Sequence, residues 1–331
     1  MSSSSSIILT SARAIKGDNM KYAKMFATMA LGLMVAVLSA GLARSQDLTN
    51  YSLVFADDFA NDTPTAGTSF PSNVTTGNWT GPSGPVWFTQ TDQCCMAAID
   101  DQNQGTGVLY PGFVYGFNTP NPFTLGPGGL NIKASMNSGP TTLPGYANIT
   151  HAWTSGLIAS VDRTGQGRSW QYGYFEMKAK VPSGIGTWPA FWMLNVNSLT
   201  GNTSTETGEI DIMEAYGQYP TKFNNGLHNW SSNPKLHYGS TNTVPVDISA
   251  DYHTYGMLWT AESMKFYFDG ALQFTTPTLP VFQQPYFLMA DLGVGGGGQT
   301  ANPPDPSIMS IQYIHVYQVN TSPPPPRSGK D

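Results

Sequence analysis

The chain is 331 residues long, 40% hydrophobic and 12% aromatic but only 11% charged, with 35 glycines and 25 prolines spread along it. That length suits one large domain or two ordinary ones with a packed core, and the profile fits an all-β fold rich in turns, its surface polar through Ser, Thr, Asn and Gln. Net charge is −6 and becomes −10 once the five cations and one acid of residues 1–45 are set aside, which excludes nucleic acid and anionic lipid as partners.

Residues 1–45 read as a secretory signal. Lys21 and Lys24 precede an 18-residue apolar run, "MFATMALGLMVAVLSAGL", and the small residues Ala43 and Ser45 follow. Cleavage is expected before Gln46, with Met20 as an alternative start, leaving a secreted chain, extracellular or periplasmic, with no membrane partner. An uncleaved anchor is the competing reading, because 18 residues lie near the spanning minimum. Thr28, Gly32, Ser39 and Gly41 interrupt the run and argue for removal. Beyond it, Asn73, Asn78 and Asn229 head three of eight N-x-[ST] sites, which matter only in a host that glycosylates. The only cysteines, Cys94 and Cys95, are neighbours. Their Cα atoms stand about 3.8 Å apart, short for a disulfide, so free or buried thiols are expected and zinc sites are excluded by number.

The run "YGYFEMKAKV", residues 172–181, places Phe175, Met177, Ala179 and Val181 on one parity and Tyr174, Glu176, Lys178 and Lys180 on the other, as a half-buried strand requires. In "TWPAFWML", Trp188 and Trp192 share strand parity with the small Ala190, while Pro189 predicts an irregular or edge position. "MKFYFDGALQF" reads as two strands joined by Asp269-Gly270, a two-residue hairpin signal. "GVGGGG", residues 293–298, matches a dinucleotide-binding pattern in form only, because the prolines of "QTANPPDP" forbid the helix that must follow. Together these predict one antiparallel β-sandwich over residues 46–319, closed by a Pro-rich flexible tail at 320–331.

"GEIDIMEAYG", residues 208–217, is the motif that carries chemistry. On a strand, Glu209 and Asp211 leave one face while Ile210 and Ile212 enter the core. Glu214 has the wrong parity, and a single β-bulge near Met213 would return it to the acidic face. The two glutamates then stand about 13 Å apart at Cα, so they can share a glycosidic bond only by leaning together across a curved, groove-like sheet. Read blandly, an acidic face keeps a strand soluble, and calcium binding is a further reading, although one strand supplies few converging oxygens. The tryptophans read equally well as core.

The blocks "GRSWQYGYFEMKAKVPSGIGTWPAFWML", "GEIDIMEAYG", "HTYGMLWTAESMKFYFDG" and "IQYIHVYQ" occur in the order found in glycoside hydrolase family 16, which the chain resembles from about Phe55 to Tyr317. The resemblance implies a concanavalin-like jelly roll of two curved antiparallel sheets with an open cleft. The inserted Met213 resembles the bulged laminarinase and β-1,3(4)-glucanase type. It implies a retaining endo-acting hydrolase of β-1,3 or mixed β-1,3/1,4-glucan, with Glu209 as nucleophile, Glu214 as acid/base and Asp211 hydrogen-bonded to the nucleophile. Trp188, Trp192 and His228 would bind the polysaccharide substrate. The same mechanism on a galactan or bacterial exopolysaccharide, transglycosylation, and a non-catalytic glycan-binding module are the alternatives. Two departures stand out: the loop "NSLTGNTSTET" lacks the tryptophan of many relatives, and Gln312 replaces an aspartate that helps hold a structural calcium. No cofactor and no tight calcium are therefore expected.

Overall fold

A computed structural model describes residues 46–60, 63–64, 78–81, 84–88, 108–109, 122–126, 128–141, 151–162, 164–200, 206–295 and 303–320. The signal-like leader 1–45, Asn73, Cys94, Cys95 and residues 321–331 of the tail lie outside them. In chain order the strands are β1 (Tyr51–Asp57), β2 (Thr63–Pro64), β3 (Asn78–Gly81), β4 (Gly84–Phe88), β5 (Val108–Leu109), β6 (Phe123–Gly126), β7 (Gly129–Thr141), β8 (His151–Thr154), β9 (Leu157–Ala159) and β10 (Gly173–Lys180). They continue as β11 (Thr187–Asn195), β12 (Gly208–Glu214), β13 (Lys222–Asn229), β14 (Leu236–Thr243), β15 (His253–Trp259), β16 (Ser263–Phe268), β17 (Ala271–Pro277), β18 (Tyr286–Val294) and β19 (Ser307–Val319).

Two sheets form. One runs β17-β16-β15-β10-β19-β7-β8-β5, with β1 also on β19 and β6 on β7; the other runs β14-β13-β12-β11-β18-β9-β4-β3-β2. Among the described pairings only β5 with β8 is parallel. The alternation read in "YGYFEMKAKV" holds on β10, where Phe175, Met177 and Ala179 are buried and Glu176, Lys178 and Lys180 half-buried. Tyr174 departs from it. Its parity is the polar one, yet Tyr267 and Tyr317 crowd its ring and its hydroxyl donates to Glu176 Oε2 at 2.7 Å, so it is enclosed. The Asp269-Gly270 turn joins β16 to β17 with both residues at positive φ, 46° and 76°, the backbone that a two-residue hairpin loop needs.

Side chains from both sheets meet in one core: Met257, Trp259, Phe266 and Val316 from the first, Phe191, Ile210, Met213 and Leu288 from the second. Each such burial contributes about 1.5–3 kcal/mol relative to exposure. Trp259 is fully buried there. Among the described residues no helix is long and apolar enough to cross a membrane.

Candidate active site

Strand β12 lies inside the second sheet, between β11 and β13, so both of its edges are held by hydrogen bonds. Its apolar residues Ile210, Ile212 and Met213 enter the core. Glu209, Asp211 and Glu214 emerge on the opposite face, which requires one extra residue between the last two. The pairing shows that residue. Asp211 faces Trp192 on β11 and Gly226 on β13, and Glu214 faces Ala190 and Asn224, so Ile212 and Met213 together stand against a single residue of each neighbour. The bulge is anchored from beneath: buried Asn225 donates through Nδ2 to the carbonyl of Ile212 at 2.7 Å, and Asn242 Nδ2 donates in turn to Asn225 Oδ1 at 2.7 Å. A carbonyl displaced from its ladder therefore keeps a partner.

Small residues leave space over this face. A Cβ added to Gly226 would overlap Asp211 Oδ2 and press on His228 Nε2, so glycine there lets that pair form. His228 Nε2 stands 2.8 Å from Asp211 Oδ2 and 3.9 Å from Glu209 Oε1. The outer acids each receive an indole N–H. Trp188 Nε1 donates to Glu214 Oε1 at 2.8 Å, and Trp230 Nε1 donates to Glu209 Oε2 at 3.1 Å. Trp188 stacks on Tyr216, with ring centres 6.2 Å apart, and the Tyr216 hydroxyl also binds Glu214. Trp230 stacks on His228 at 5.3 Å. Beyond Glu214 the same face continues into a cleft of about 320 Å³ lined by Tyr216, Tyr219, Lys222, Phe223, Asn224 and Thr241.

Burial, and then the charge of Asp211, push the Glu209 carboxyl from 4.5 up to about 8, against the opposing pull of His228 and the Trp230 N–H. Glu214 is raised for the same two leading reasons. For His228, burial alone would lower the value, but the hydrogen bond to Asp211 and the three acidic charges outweigh it and raise it. Glu209 and Glu214 are thus both shifted towards their protonated forms, with the Asp211 charge acting on each.

Glu209, Asp211 and His228 bring one oxygen or nitrogen each within 4.8 Å of one another, a set that could be read as metal ligands. Two ligands of one tetrahedral ion at about 2.0–2.1 Å would stand roughly 3.3 Å apart. The 2.8 Å between His228 Nε2 and Asp211 Oδ2 is a hydrogen bond instead.

The structure thus brings Glu209, Asp211, Glu214, Trp188 and His228 together. Trp192 corrects the expectation of a substrate platform: its parity is right, but it is only 5% exposed and its Nε1 is spent on buried Asp291 Oδ1 at 2.7 Å. It supports the floor rather than presenting a face. Sequence reading missed Trp230, although "GLHNW" carried the signal, since Trp230 lies two residues past His228 on the same parity. It also missed Tyr216, two residues past Glu214, and Asn225 and His237, whose roles depend on register between strands.

The family model for glycosyl hydrolases family 16 matches residues 133–297. The chain is 34% identical over 215 residues to glucan endo-1,3-beta-glucosidase A1 of Niallia circulans, covering 58% of this chain and 30% of the relative. It is 32% identical over 279 residues to endo-1,3-1,4-beta-glycanase ExsH of Rhizobium meliloti, covering 83% of this chain and 54% of the relative. The chain therefore spans between about a third and about half of these relatives' lengths. Among solved structures, SCLam, a non-specific endo-beta-1,3(4)-glucanase, superposes with a TM-score of 0.61 at 26% identity, over 82% of this chain and 92% of that one. With the bulged acidic strand inside one sheet of a two-sheet fold and a sequence match that runs through it, the chain belongs to family 16 of the glycosyl hydrolases.

Proposed function

We propose that this protein is a secreted endo-acting hydrolase of β-1,3 or mixed β-1,3/1,4-glucan, acting with retention and without a metal. One observation carries the reading: a bulged strand delivers Glu209, Asp211 and Glu214 to one face, with an indole N–H on each outer acid. Retention needs a single proton on the outer pair. Ionised Glu209 forms a bond to the anomeric carbon as the glycosidic C–O bond breaks, and the Glu214 proton passes to the leaving oxygen. In the second half, Glu214 takes a proton from water, the water oxygen bonds to the same carbon, and the ester to Glu209 breaks. Asp211, hydrogen-bonded to His228, fixes that imidazole beside the nucleophile. Trp188 offers an aromatic face for a sugar ring, and the cleft past Glu214, with Tyr219 48% exposed, has room for another. Export rests on the charged, apolar and small-residue order of the leader.

The test is reducing-end release from laminarin, lichenan, agarose and carrageenan, with proton NMR of the first product. Cleavage of laminarin or lichenan to the β anomer, lost in folded Glu209→Ala, supports the proposal. Cleavage confined to agarose or carrageenan would move it to a galactan hydrolase, and full activity in Glu209→Ala would end the assignment. Binding of these glycans with no cleavage would identify a lectin-like module. Unchanged activity in EDTA is expected, and its loss would overturn the metal-free reading.

A further inference from the structure

A second imidazole at the rim of the site has no part in the reaction as written. His237 lies opposite His228 in the β13–β14 register, and their Nδ1 atoms are 2.6 Å apart. With the bond from His228 Nε2 to Asp211 Oδ2, this makes one line from a buried carboxylate to an exposed ring. Proton placement along that line is constrained. A carboxylate only accepts, so His228 Nε2 carries hydrogen. Two ring nitrogens in contact hold one hydrogen between them, because two facing N–H groups would collide. At most one of the two imidazoles is therefore charged.

The surroundings decide which. His228 faces Asp211, Glu209 and Glu214 from β12, and its Nε2 stands 3.9 Å from Glu209 Oε1. His237 faces the cation of Lys235 and packs edge-on to Trp230 at 4.8 Å, and Lys235 Nζ lies 5.4 Å over the same indole. Acids surround one ring and raise it; the other is lowered, by burial first and then by the charges of His228 and Lys235. We infer that His237 is a positioning residue for the reaction: by accepting the His228 Nδ1 hydrogen, it keeps His228 an imidazolium against Asp211 and Glu209. That charge favours the ionised form of Glu209. The kinetic consequence rests on the function proposed above; the effect on His228 does not.

His237→Phe keeps the ring contact with Trp230 and removes the acceptor, while His237→Gln supplies an amide oxygen in its place. In the full-length protein, ¹⁵N-detected titration of the histidine rings should show the His228 value falling in His237→Phe and recovering in His237→Gln. The acid limb of kcat/KM, where Glu209 must be ionised, should move up by roughly one pH unit in the Phe variant, as expected for losing an opposite charge within 4 Å, and return with Gln. A His228 titration untouched by Phe, or equally disturbed by Phe and Gln, would overturn the inference. Should no glucan be cleaved, the proposed activity fails alone, and the ring titration still decides the role of His237.

Discussion

Glu209→Gln preserves side-chain shape and the oxygen that accepts from Trp230, and removes only the charge. The wild-type carboxyl is 19% exposed, and burial followed by the Asp211 charge lifts it from 4.5 to about 8. A folded-state value above the unfolded one means that the native protein binds this proton more tightly. Its contribution to stability is thus complete below about 4.5 and is lost as pH rises through about 8. At roughly 1.4 kcal/mol per unit the ceiling is about 5 kcal/mol. Glu214, raised as well, shares that cost, so removing Glu209 alone should recover about half of it. At about 2–4 °C per kcal/mol for a domain of this size, Glu209→Gln should melt roughly 5–10 °C above wild type at pH 9 and level with it at pH 4. Scanning calorimetry at intervals from pH 4 to 9 measures the difference, and hydrolysis should be absent throughout. A difference that stays flat across that range, or turns negative at high pH, would refute the claim that the site holds this carboxylate at the expense of stability.

Trp188→Phe keeps an aromatic face but deletes the N–H that lowers Glu214. Glu214 then keeps its proton to higher pH, and the basic limb of the rate profile should rise by about half a unit to one unit; a downward shift would contradict the geometry. Gly226→Ala drives a methyl group into the Asp211–His228 pair. It should cut kcat roughly 100-fold, the scale of an ångström's misplacement, with circular dichroism unchanged. Asn225→Ala strands the Ile212 carbonyl at the bulge and should cost about 1–3 kcal/mol in urea unfolding. Exposed Gln312 offers a hard cation a neutral amide, so the unfolding midpoint should not move with added calcium.

What could be read from sequence was whatever a few consecutive residues decide. Parity alone showed that Glu214 needs a bulge to rejoin Glu209 and Asp211, and the backbone pairs on that pattern. Positive φ at Asp269 and Gly270 is a local demand, so the hairpin was equally plain. Trp192 was misjudged because its enclosure depends on Asp291, 99 residues away on β18. His237 escaped notice because only the β13–β14 register sets it against His228. Composition cannot show a register, and parity cannot tell an open face from one that a distant strand has covered.

The choice of partners around the acids has its own logic. Among the described residues, neither Lys nor Arg pairs with Glu209 or Glu214; the one ion pair to either is the long contact from His228. A guanidinium within 4 Å would lower a carboxyl by about 1–3 units and fix it in the charged form. Indole N–H groups instead orient each oxygen and soften the cost of its charge, yet leave both glutamates above their ordinary values. Retaining hydrolysis asks for that state at Glu214, which must hold its proton in one half-reaction and give it up in the other, while Glu209 must be ionised to attack. The positive charge available to the site comes through His228, whose imidazole, unlike a guanidinium, can give up its proton. The balance of charge at the nucleophile is therefore adjustable, where a lysine or arginine would have made it permanent.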